Sequence, residues 1–444
     1  MAHPQKTPST PQGWDALPAI LQRISPPVFP KKDFDVTKFG AVCDGKTECT
    51  KAFQKAIDKC NASGGGRVVV PEGTYLTGAI HLKSNVNLYI SKNAIVRFSV
   101  DPKKYLPVVF TRWEGIECMN YSPLIYAYGQ KNIAVTGEGV LDGQGANDNW
   151  WSWKGKKEYS WEPGKPDQNA AREKLFEMGE KGIPVAERVF GEGSYLRPNF
   201  FEPYKCKNVL VKGVTFKDSP MWFLNPVLCQ NVSIIGVTVE GRGPNNDGCD
   251  PESCTDVLIK DCYFDNGDDC IAIKSGRNAD GRRVNVPCEN IVIQGCTMRE
   301  GHGGVVIGSE MSGGVRNVYA ENDTMDSPNL DRVLRMKTNS VRGGFIENVY
   351  MRNIKVGQVA EAVIKIDYFY EEGDKGNFTP VVRNIEIDNV TCERSTFAVW
   401  IRAYDRSPAE NIRITNCTFN NVVDRNVIEN VKDYSSINVI INTK

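Results

Sequence analysis

The amino-acid sequence predicts an all-β fold, a right-handed parallel β-helix with a short N-terminal capping helix. Three observations support this prediction: a phrase that recurs from about residue 130, period-two apolar runs inside each phrase, and one amphipathic helix before the repeats. A short unit of this kind cannot bury its own apolar face, so consecutive units must stack to form a core. We therefore expect a single β-helix domain over residues 31–444, preceded by an N-terminal extension over residues 1–30.

Each repeat opens on Asn or Asp, continues as a β-branched alternating run, and ends in small or polar turn residues. After residue 208 the spacing between openings runs from 23 to 36 residues. That length accommodates two or three short strands per coil, with neighbouring coils about 4.8 Å apart. The opening positions are Asn132, Asn208, Asn231, Asp256, Asn290, Asn317, Asn348, Asn384 and Asn411.

Two segments interrupt the repeats. The stretch CTKAFQKAIDKCNASGGG, residues 49–66, has helical amphipathicity and ends in glycines. We expect this helix to cover the open end of the coil, where unpaired strand edges would invite aggregation. Residues 146–200 form a long insertion rich in Trp, Lys, Glu and Gly. Insertions of this length in a solenoid usually lie on one face, often the binding face.

Charge and hydropathy make some classes of binding partner unexpected. The net formal charge is zero, so neither nucleic acid nor an anionic membrane is an expected partner. The chain has no run of 18 apolar residues, so no membrane span is expected. The start MAHPQKTPSTPQGW favours the mature form of a periplasmic or secreted protein over a cytoplasmic one. We expect a monomer, as in many solenoids of this kind.

The fourteen cysteines favour packing over crosslinking. Four of them, each two residues before the opening of a repeat, predict a buried column of thiols. They are Cys206, Cys229, Cys254 and Cys288. Cys43 and Cys49 are close enough in sequence for a disulfide, and the spacing leaves that question open. The Cys-x4-Cys pair that begins at Cys249 lacks a second pair with zinc-site spacing, so no structural metal is expected.

Two carboxylates stand side by side in NGDDCIAIKSG, residues 266–276, at the head of an apolar alternating run. Aligning the second strands of four consecutive repeats places NND, GDD, GHG and RMK in one register. The apolar residues of these strands must face the core, so residues of the other parity face outward. The groups gathered on the outward strip are Asp247, Asp268 with its neighbour Asp269, His302, Arg335 and Lys337.

Each of these residues alone has an ordinary interpretation. Surface Asp, Arg and Lys are usually only solvated, and Gly-Asp-Asp is common turn chemistry. Unusual polar residues at matching register in four consecutive coils instead favour one composite site. Crowded carboxylates disfavour each other's ionisation, so such a site can hold one protonated and one ionised acid.

The ordered set NND, GDD, GHG and RMK resembles the four motifs of glycoside hydrolase family 28, the polygalacturonases. Those motifs usually read Asn-Thr-Asp, Gly-Asp-Asp, Gly-His-Gly and Arg-Ile-Lys. The resemblance extends from FDVTKFGAVCDGKTECTKAFQKAI to the last repeats and is closest to bacterial exo-acting members. It implies an inverting hydrolase of the α-1,4-galacturonosidic bonds of pectin that acts on chain ends, without metal or other cofactor.

The resemblance also implies a role for each acid. Asp268 would be the general acid that protonates the leaving glycosidic oxygen. Asp247 and Asp269 would hold and activate the attacking water. His302 would hydrogen-bond near the acid and help to keep its protonation state.

Substrate contacts follow from the same resemblance. Arg335 and Lys337 would bind the galacturonate carboxylate, and Tyr370 in IDYFY would pack beside the sugar. Asn246 stands where threonine is usual, and Asn225 stands where close bacterial members often have histidine. We expect these two asparagines to contribute to the substrate subsites.

Several alternatives remain open from the sequence. Segments 105–128 and 146–200 could close one end of a groove, which favours exo attack. The aromatic cluster of the insertion could stack on sugar rings or form a small satellite core. A relative that hydrolyses rhamnogalacturonan or a substituted galacturonan, a β-helix pectate lyase, and a non-catalytic carbohydrate-binding protein are the competing functions.

Overall fold

The structure, a computed structural model, describes residues 13–444 and confirms the right-handed parallel β-helix. Three parallel sheets run along the coil, and the apolar core fills the space between them. The part of the predicted N-terminal extension formed by residues 1–12 lies outside the described residues. None of the helices formed by residues 13–444 has the length and apolar character needed to cross a bilayer.

The first sheet contains the alternating run that follows each opening Asn or Asp. Its strands are Asp33–Asp35, Gly66–Val70, Val86–Ile90, Lys131–Gly137, Lys207–Lys212, Gln230–Ile235, Thr255–Lys260, Cys288–Gln294, Val315–Glu321, Phe345–Gln358, Val381–Arg394, Ala409–Thr415 and Val431–Ile437. The second sheet follows after a short turn. Its strands are Asp44–Glu48, Gly73–Thr77, Ala94–Phe98, Val140–Asp142, Thr215–Lys217, Thr238–Gly241, Tyr263–Asn266, Thr297–Glu300, Thr324–Met325, Thr418–Val422 and Ile440–Thr443, together with the C-terminal parts of the long strands Phe345–Gln358 and Val381–Arg394.

The third sheet is the one that concerns function. Its strands are Ile80–His81, Ile125–Tyr128, Phe201–Tyr204, Ile271–Ile273, Val305–Ile307, Arg332–Lys337, Ala362–Asp367, Phe397–Arg402 and Val427–Glu429. Isolated bridges through Leu224 and Cys249 link the upstream strands to the downstream ones. An antiparallel hairpin, Val109–Trp113 with Ile116–Asn120, projects from the coil.

Helices lie outside the coil. The α-helices are α1 (Leu17–Arg23), α2 (Thr50–Ala62), α3 (Asn169–Glu180) and α4 (Asn278–Val284). Short 3₁₀ helices are Gly13–Ala16, Val36–Phe39, Pro102–Tyr105, Trp150–Lys154, Lys157–Tyr159 and Val185–Glu187. Helix α2 buries Phe53 and Ile57 in the main core, so it caps the first coil as the sequence predicts.

The opening Asn or Asp of each repeat has a left-handed backbone, with φ between 52° and 60°. These two residue types tolerate that conformation better than other side chains. Successive asparagines also form a ladder between coils. The Nδ2 of Asn317 donates to Oδ1 of Asn290 at 3.0 Å, and that of Asn348 donates to Asn317 at 3.1 Å. The left-handed backbone and the ladder of hydrogen bonds explain why the repeats begin with Asn or Asp.

The ladder is interrupted at Asp256, because a carboxylate has no hydrogen to donate to Asn231. The N-terminal extension contacts both residues at this break, Asp256 and Asn231. Nη2 of Arg23 lies 2.8 Å from Oδ1 of Asp256, and the backbone N–H of Ser25 donates to Oδ1 of Asn231 at 3.0 Å. Helix α1 therefore docks across the first sheet, and it buries Ile20 there.

The aromatic residues of the insertion form a satellite core. Trp150 is buried, and its ring centre lies 5.6 Å from that of Tyr105 and 4.8 Å from that of Trp153. The indole N–H of Trp151 donates to the carbonyl of Ser219 at 2.9 Å. The structure thus favours the packing alternative over a sugar-stacking role for these rings.

All fourteen cysteines, which lie within the described residues, are free thiols. Cys43 and Cys49 therefore form no disulfide: Cys43 is exposed, whereas Cys49 is buried with its Sγ 3.3 Å from the backbone nitrogen of Val42. The predicted thiol column is confirmed. For example, the backbone N–H of Cys229 donates to Sγ of Cys254 at 3.4 Å.

Candidate active site

A cavity of about 450 Å³ lies on the outer face of the third sheet. It contains most of the residues that the sequence predicts for the site. The lining residues are Glu114, Lys154, Lys156, Arg172, Trp222, Asn245, Asp247, Asp268, Asp269, Lys274, Arg277, His302, Ser309, Glu310, Asp331, Arg332, Arg335, Lys337, Tyr370 and Glu371. Eight of these twenty residues are Lys or Arg and seven are Asp or Glu, so cations and acids lie side by side in the cavity.

The predicted register of the third sheet is the one observed. Ile271 pairs with Val305, and Val305 with Leu334, all facing the core. Val306 pairs with Arg335 on the outward parity. The strands therefore bring Asp268, His302 and the Arg335 coil together by stacking alone, as the alternation predicts.

Asp269 reaches the cavity for a different reason. By strict alternation it would share the inward parity of Ile271, but residues 267–269 form a bend before the strand begins. The side chain of Asn266 holds this bend, because its Nδ2 lies within 3.1 Å of the carbonyl oxygens of Asn246, Asp268 and Asp269. Asn266 is a positioning residue that the sequence analysis missed, although it stands directly before the Gly-Asp-Asp motif.

The three acids form one cluster. Oxygens of Asp247, Asp268 and Asp269 lie within 4.8 Å of one another. The side chain of Asp268 is 19% exposed, whereas those of Asp247 and Asp269 are 4% and 1% exposed. Asp268 is therefore the acid that reaches farthest into the cavity.

Buried cations compensate the two deeper acids. Nζ of Lys337 lies 2.6 Å from Oδ2 of Asp269, and Nη1 of Arg335 lies 3.4 Å from Oδ1 of the same carboxylate. Nζ of Lys274 lies 3.5 Å from Oδ2 of Asp247. Lys274 was not among the predicted site residues, although it shares the outward parity of the strand that follows Asp268 and Asp269.

The surroundings of Asp247 and Asp268 shift the pKa values of these two acids in opposite directions. Burial, together with the negative charge of Asp268, raises the pKa of Asp247 well above its usual range, although Lys274 opposes the shift. Burial also raises the pKa of Asp268, but the hydrogen bond and positive charge of His302 outweigh it and leave that pKa below its usual range. Nδ1 of His302 lies 2.9 Å from Oδ1 of Asp268, and this contact raises the pKa of His302 to about 9.

His302 was expected to hydrogen-bond near the acid and to help keep its protonation state. The hydrogen bond to Asp268 is present, and a cationic imidazole at this position favours the ionised carboxylate. Burial therefore favours the neutral form of Asp247, whereas His302 favours the ionised form of Asp268.

Tyr370 lies beside the two cations Arg335 and Lys337. Its ring centre is 5.3 Å from Nζ of Lys337 and 5.4 Å from Cζ of Arg335. The ring therefore lines the cavity beside the cations that bind Asp269.

Asn246 and Asn225 are fully buried and lie beneath the cavity. Nδ2 of Asn246 donates to the carbonyls of Ser219 and Met221, which fixes the turn before Asp247. Nδ2 of Asn225 donates to the carbonyl of Asp250 at 2.8 Å. Their predicted substrate contact is corrected to a supporting role, because their amide groups are used by these internal hydrogen bonds.

Several residues that line the cavity come from segments outside the repeats. At the hairpin tip, Oε2 of Glu114 lies 2.8 Å from Nη2 of Arg172 in α3 and 3.7 Å from Nη1 of Arg277. From the insertion, Nζ of Lys154 donates to Oδ1 of Asn245 at 2.8 Å. We call this group the upstream wall: Glu114, Lys154, Arg172, Arg277 and Asn245. Sequence periodicity carries no signal for it, because its members come from irregular segments.

A model of the glycosyl hydrolases family 28 matches residues 191–438, more than half of the chain. The chain belongs to glycosyl hydrolase family 28. Another model, described as rhamnogalacturonase A/epimerase, pectate lyase-like, matches residues 34–90. The family places a hydrolase active site on this fold, which agrees with the clustered acids of the third sheet.

Members of the family with similar sequences or structures include exo-acting enzymes. The crystal structure of a hyperthermoactive exopolygalacturonase from Thermotoga maritima is 45% identical, covers 97% of this chain and 96% of that chain, and has a TM-score of 0.94. An exo-poly-alpha-D-galacturonosidase of Dickeya chrysanthemi is 26% identical over 82% of this chain and 63% of that protein. A probable polygalacturonase of Vitis vinifera is 29% identical over 86% of this chain and 72% of that protein.

Proposed function

We propose that this family 28 hydrolase cleaves α-1,4-galacturonosidic bonds of polygalacturonate, the acidic backbone of pectin, at chain ends. The observation that carries the proposal is the cluster of Asp247, Asp268 and Asp269, whose oxygens lie within 4.8 Å of one another beside Arg335 and Lys337. Acids supply the hydrolytic chemistry, and the cations match a substrate with one carboxylate per sugar. The similarity to two exo-acting enzymes supports this substrate.

Asp268 is the proton donor in this proposal, because it extends farthest into the cavity and geometry precedes pKa in assigning an acid. It must first acquire a proton. A galacturonate carboxylate at Lys337 adds negative charge where cations now hold Asp268 ionised. That charge raises the pKa of Asp268, and the proton shared by the cluster moves from Asp247 to Asp268.

The deeper acids then act on water. Asp269, paired with Lys337, and the newly ionised Asp247 accept hydrogen bonds from a water molecule on the face of the sugar opposite to Asp268. The acids approach more closely than the ~6.5–9.5 Å typical of inverting pairs. We propose inversion because cations already occupy the oxygens of Asp247 and Asp269, which makes either a poor nucleophile. NMR of the anomer that forms first tests inversion. The β anomer is expected, because the substrate linkage is α, and the α anomer would show retention.

We infer exo action from the upstream wall, because its side chains come from segments outside the repeats and would block a continuous chain at that side of the cavity. The test is a short incubation with polygalacturonate, with the products separated by size. Galacturonate monomer alone is expected at early times, whereas a ladder of oligomers would refute chain-end attack.

The same assay distinguishes the competing functions. Release from rhamnogalacturonan oligomers but not from polygalacturonate would identify a different backbone. Ultraviolet absorbance of an unsaturated product, lost with a chelator, would identify a lyase. Binding without any product would support a carbohydrate-binding protein.

We further propose a periplasmic or secreted location and a monomeric state. A polymeric cell-wall substrate lies outside the cell, and thirteen of the fourteen free cysteines are buried and so protected from oxidation. Fractionation of the source cells and sedimentation of the pure protein test the two statements. Recovery with cytoplasmic markers, or a sedimenting dimer, would contradict them.

A further inference from the structure

The outward positions of the third sheet form one row that continues beyond the cavity. Ala272 pairs with Val306, Val306 with Arg335, Arg335 with Lys365, and Lys365 with Trp400. Each step along this row is about 4.8 Å, the distance between neighbouring parallel strands. The small members, Ala272 and Val306, lie on the coils of Asp268 and His302, and the large members begin at Arg335, which lines the cavity.

The large members form an aromatic surface edged by cations. Nζ of Lys365 lies 4.5 Å from the ring centre of Trp400, and Cζ of Arg402 lies 5.1 Å from the same ring. Arg402 also covers the ring of Phe369, which is 37% exposed. Trp400 itself is half-buried, so part of its surface remains accessible.

The cations and carboxylates of this surface are nearly balanced. Arg332 and Lys365 share the carboxylate of Glu361, Arg332 also binds Asp331, and Arg402 lies 3.3 Å from Asp367. The cations here are Arg332, Arg335, Lys365 and Arg402, and the carboxylates are Asp331, Glu361 and Asp367. Arg335, the cation without a carboxylate on this surface, pairs with Asp269 of the catalytic cluster.

We propose that Lys365, Trp400 and Arg402 form an additional binding site, outside the cavity, for the continuing part of an acidic polysaccharide chain. A chain whose end occupies the cavity against the upstream wall leaves across Arg335, and the row continues in that direction. The apolar face of a sugar packs on Trp400, and its carboxylate meets Lys365 or Arg402. This inference rests on the proposed function, because it concerns the same substrate.

The competing interpretation is local packing, since cation–aromatic pairs occur in most proteins without a ligand. The length of the polysaccharide substrate distinguishes a binding site from local packing. A galacturonate dimer fills only the positions on either side of the scissile bond, whereas a long chain also reaches Trp400.

The experiment measures kcat and KM of K365M, W400A and W400F on galacturonate dimer and on polygalacturonate. K432M is the matched control, because Lys432 is an exposed lysine on the first sheet paired with Glu410 at 3.8 Å. For K365M and W400A, KM on the polymer is expected to rise about three- to fivefold, which corresponds to ~1 kcal/mol or less of binding free energy. Their KM on the dimer and kcat should stay unchanged, and W400F should retain most of the polymer affinity.

Other results overturn the inference. Equal losses on dimer and polymer would mean that these residues act on the cavity through Arg335. If K365M is soluble and folded and its KM on the polymer equals that of the wild type, the contacts are only structural. This conclusion holds even if W400A fails to fold. Failure of the proposed function is distinct, because the wild-type protein would then release no galacturonate from either substrate.

Discussion

Nδ1 of His302 lies 2.9 Å from Oδ1 of Asp268, and the pKa of His302 is raised to about 9 by this contact. The folded state therefore binds the imidazole proton more tightly than the unfolded chain, whose histidine titrates near 6.5. The stabilisation by this pair is fully present below pH ~6.5 and is lost as the pH rises through about 9.

The corresponding prediction compares the wild-type protein with H302Q in urea at several pH values. We expect the variant to be less stable at pH 6 and equally stable above pH 9. H81Q is the matched control, because burial lowers the pKa of His81 and so gives the opposite dependence on pH. A constant difference between wild type and H302Q across this range would contradict the assignment of the ion pair.

Replacement of the proposed acid should abolish turnover but not binding. D268N keeps the shape of the side chain and removes the transferable proton, so kcat should fall about 10²- to 10⁴-fold. D265N serves as control, since Asp265 forms a surface pair with Arg242. Reducing-sugar release measures kcat, and calorimetry with a galacturonate trimer measures binding. More than a tenth of wild-type activity in D268N would remove Asp268 from its role.

The pair formed by Lys337 and Asp269 should be essential for stability as well as for activity. Both side chains are buried, at 8% and 1% exposure, so K337M leaves a carboxylate without its closest cation. Loss of one partner of a buried ion pair costs ~3–5 kcal/mol of unfolding free energy. The double variant K337M/D269N should recover much of this loss while remaining inactive. If it is no more stable than K337M, the two residues do not interact as the structure shows.

Lys154 should make substrate affinity depend on pH. Burial lowers its pKa to about 8, although the negative charge of Glu114 opposes the shift. The ammonium group therefore loses its proton as the pH rises through about 8, and the upstream wall loses a positive charge. We expect KM for dimer and polymer alike to rise between pH 7 and 9. In K154M, KM should be high throughout and should depend less on pH, because only His302, with a pKa of about 9, still titrates near the upper end of this range. The same dependence in K154M would place the titrating group elsewhere.

The asparagine ladder gives a prediction for stability. Asn317 has a φ of 57° and takes part in two ladder hydrogen bonds. N317A loses the hydrogen bonds and strains the backbone, so it should lower the unfolding free energy by ~2–4 kcal/mol. N317G loses the same hydrogen bonds without the strain and should be ~1 kcal/mol more stable than N317A. Equal stability of the two variants in thermal unfolding would show that the left-handed backbone carries no cost here.

The sequence predicted those parts of the site that depend on periodicity. Alternation places Ile271 and Val305 in the core, and stacking then aligns Asp268, His302 and Arg335 without knowledge of any loop. The same argument could have found Lys274, which continues the outward parity of the Asp268 coil.

Other features lay beyond sequence reasoning. Asn225 was predicted to contact the substrate because its segment resembles one of the family. Its side-chain amide instead donates to the carbonyl of Asp250 beneath the cavity. The aromatic residues near Trp150 fitted a sugar platform equally well until their burial was known.

The sequence by itself determined the coil, its register and the strip on which the acids meet, because a repeat with strict alternation leaves one way to bury its apolar residues. Only the tertiary structure decided in which direction the pKa of each acid is shifted and which irregular segments line the cavity. Those properties depend on burial and on distances between His302, Lys274, Glu114 and Lys154, which come from different coils and from irregular segments. Electrostatic interactions vary with such distances and with exposure to solvent, neither of which the order of residues along the chain specifies.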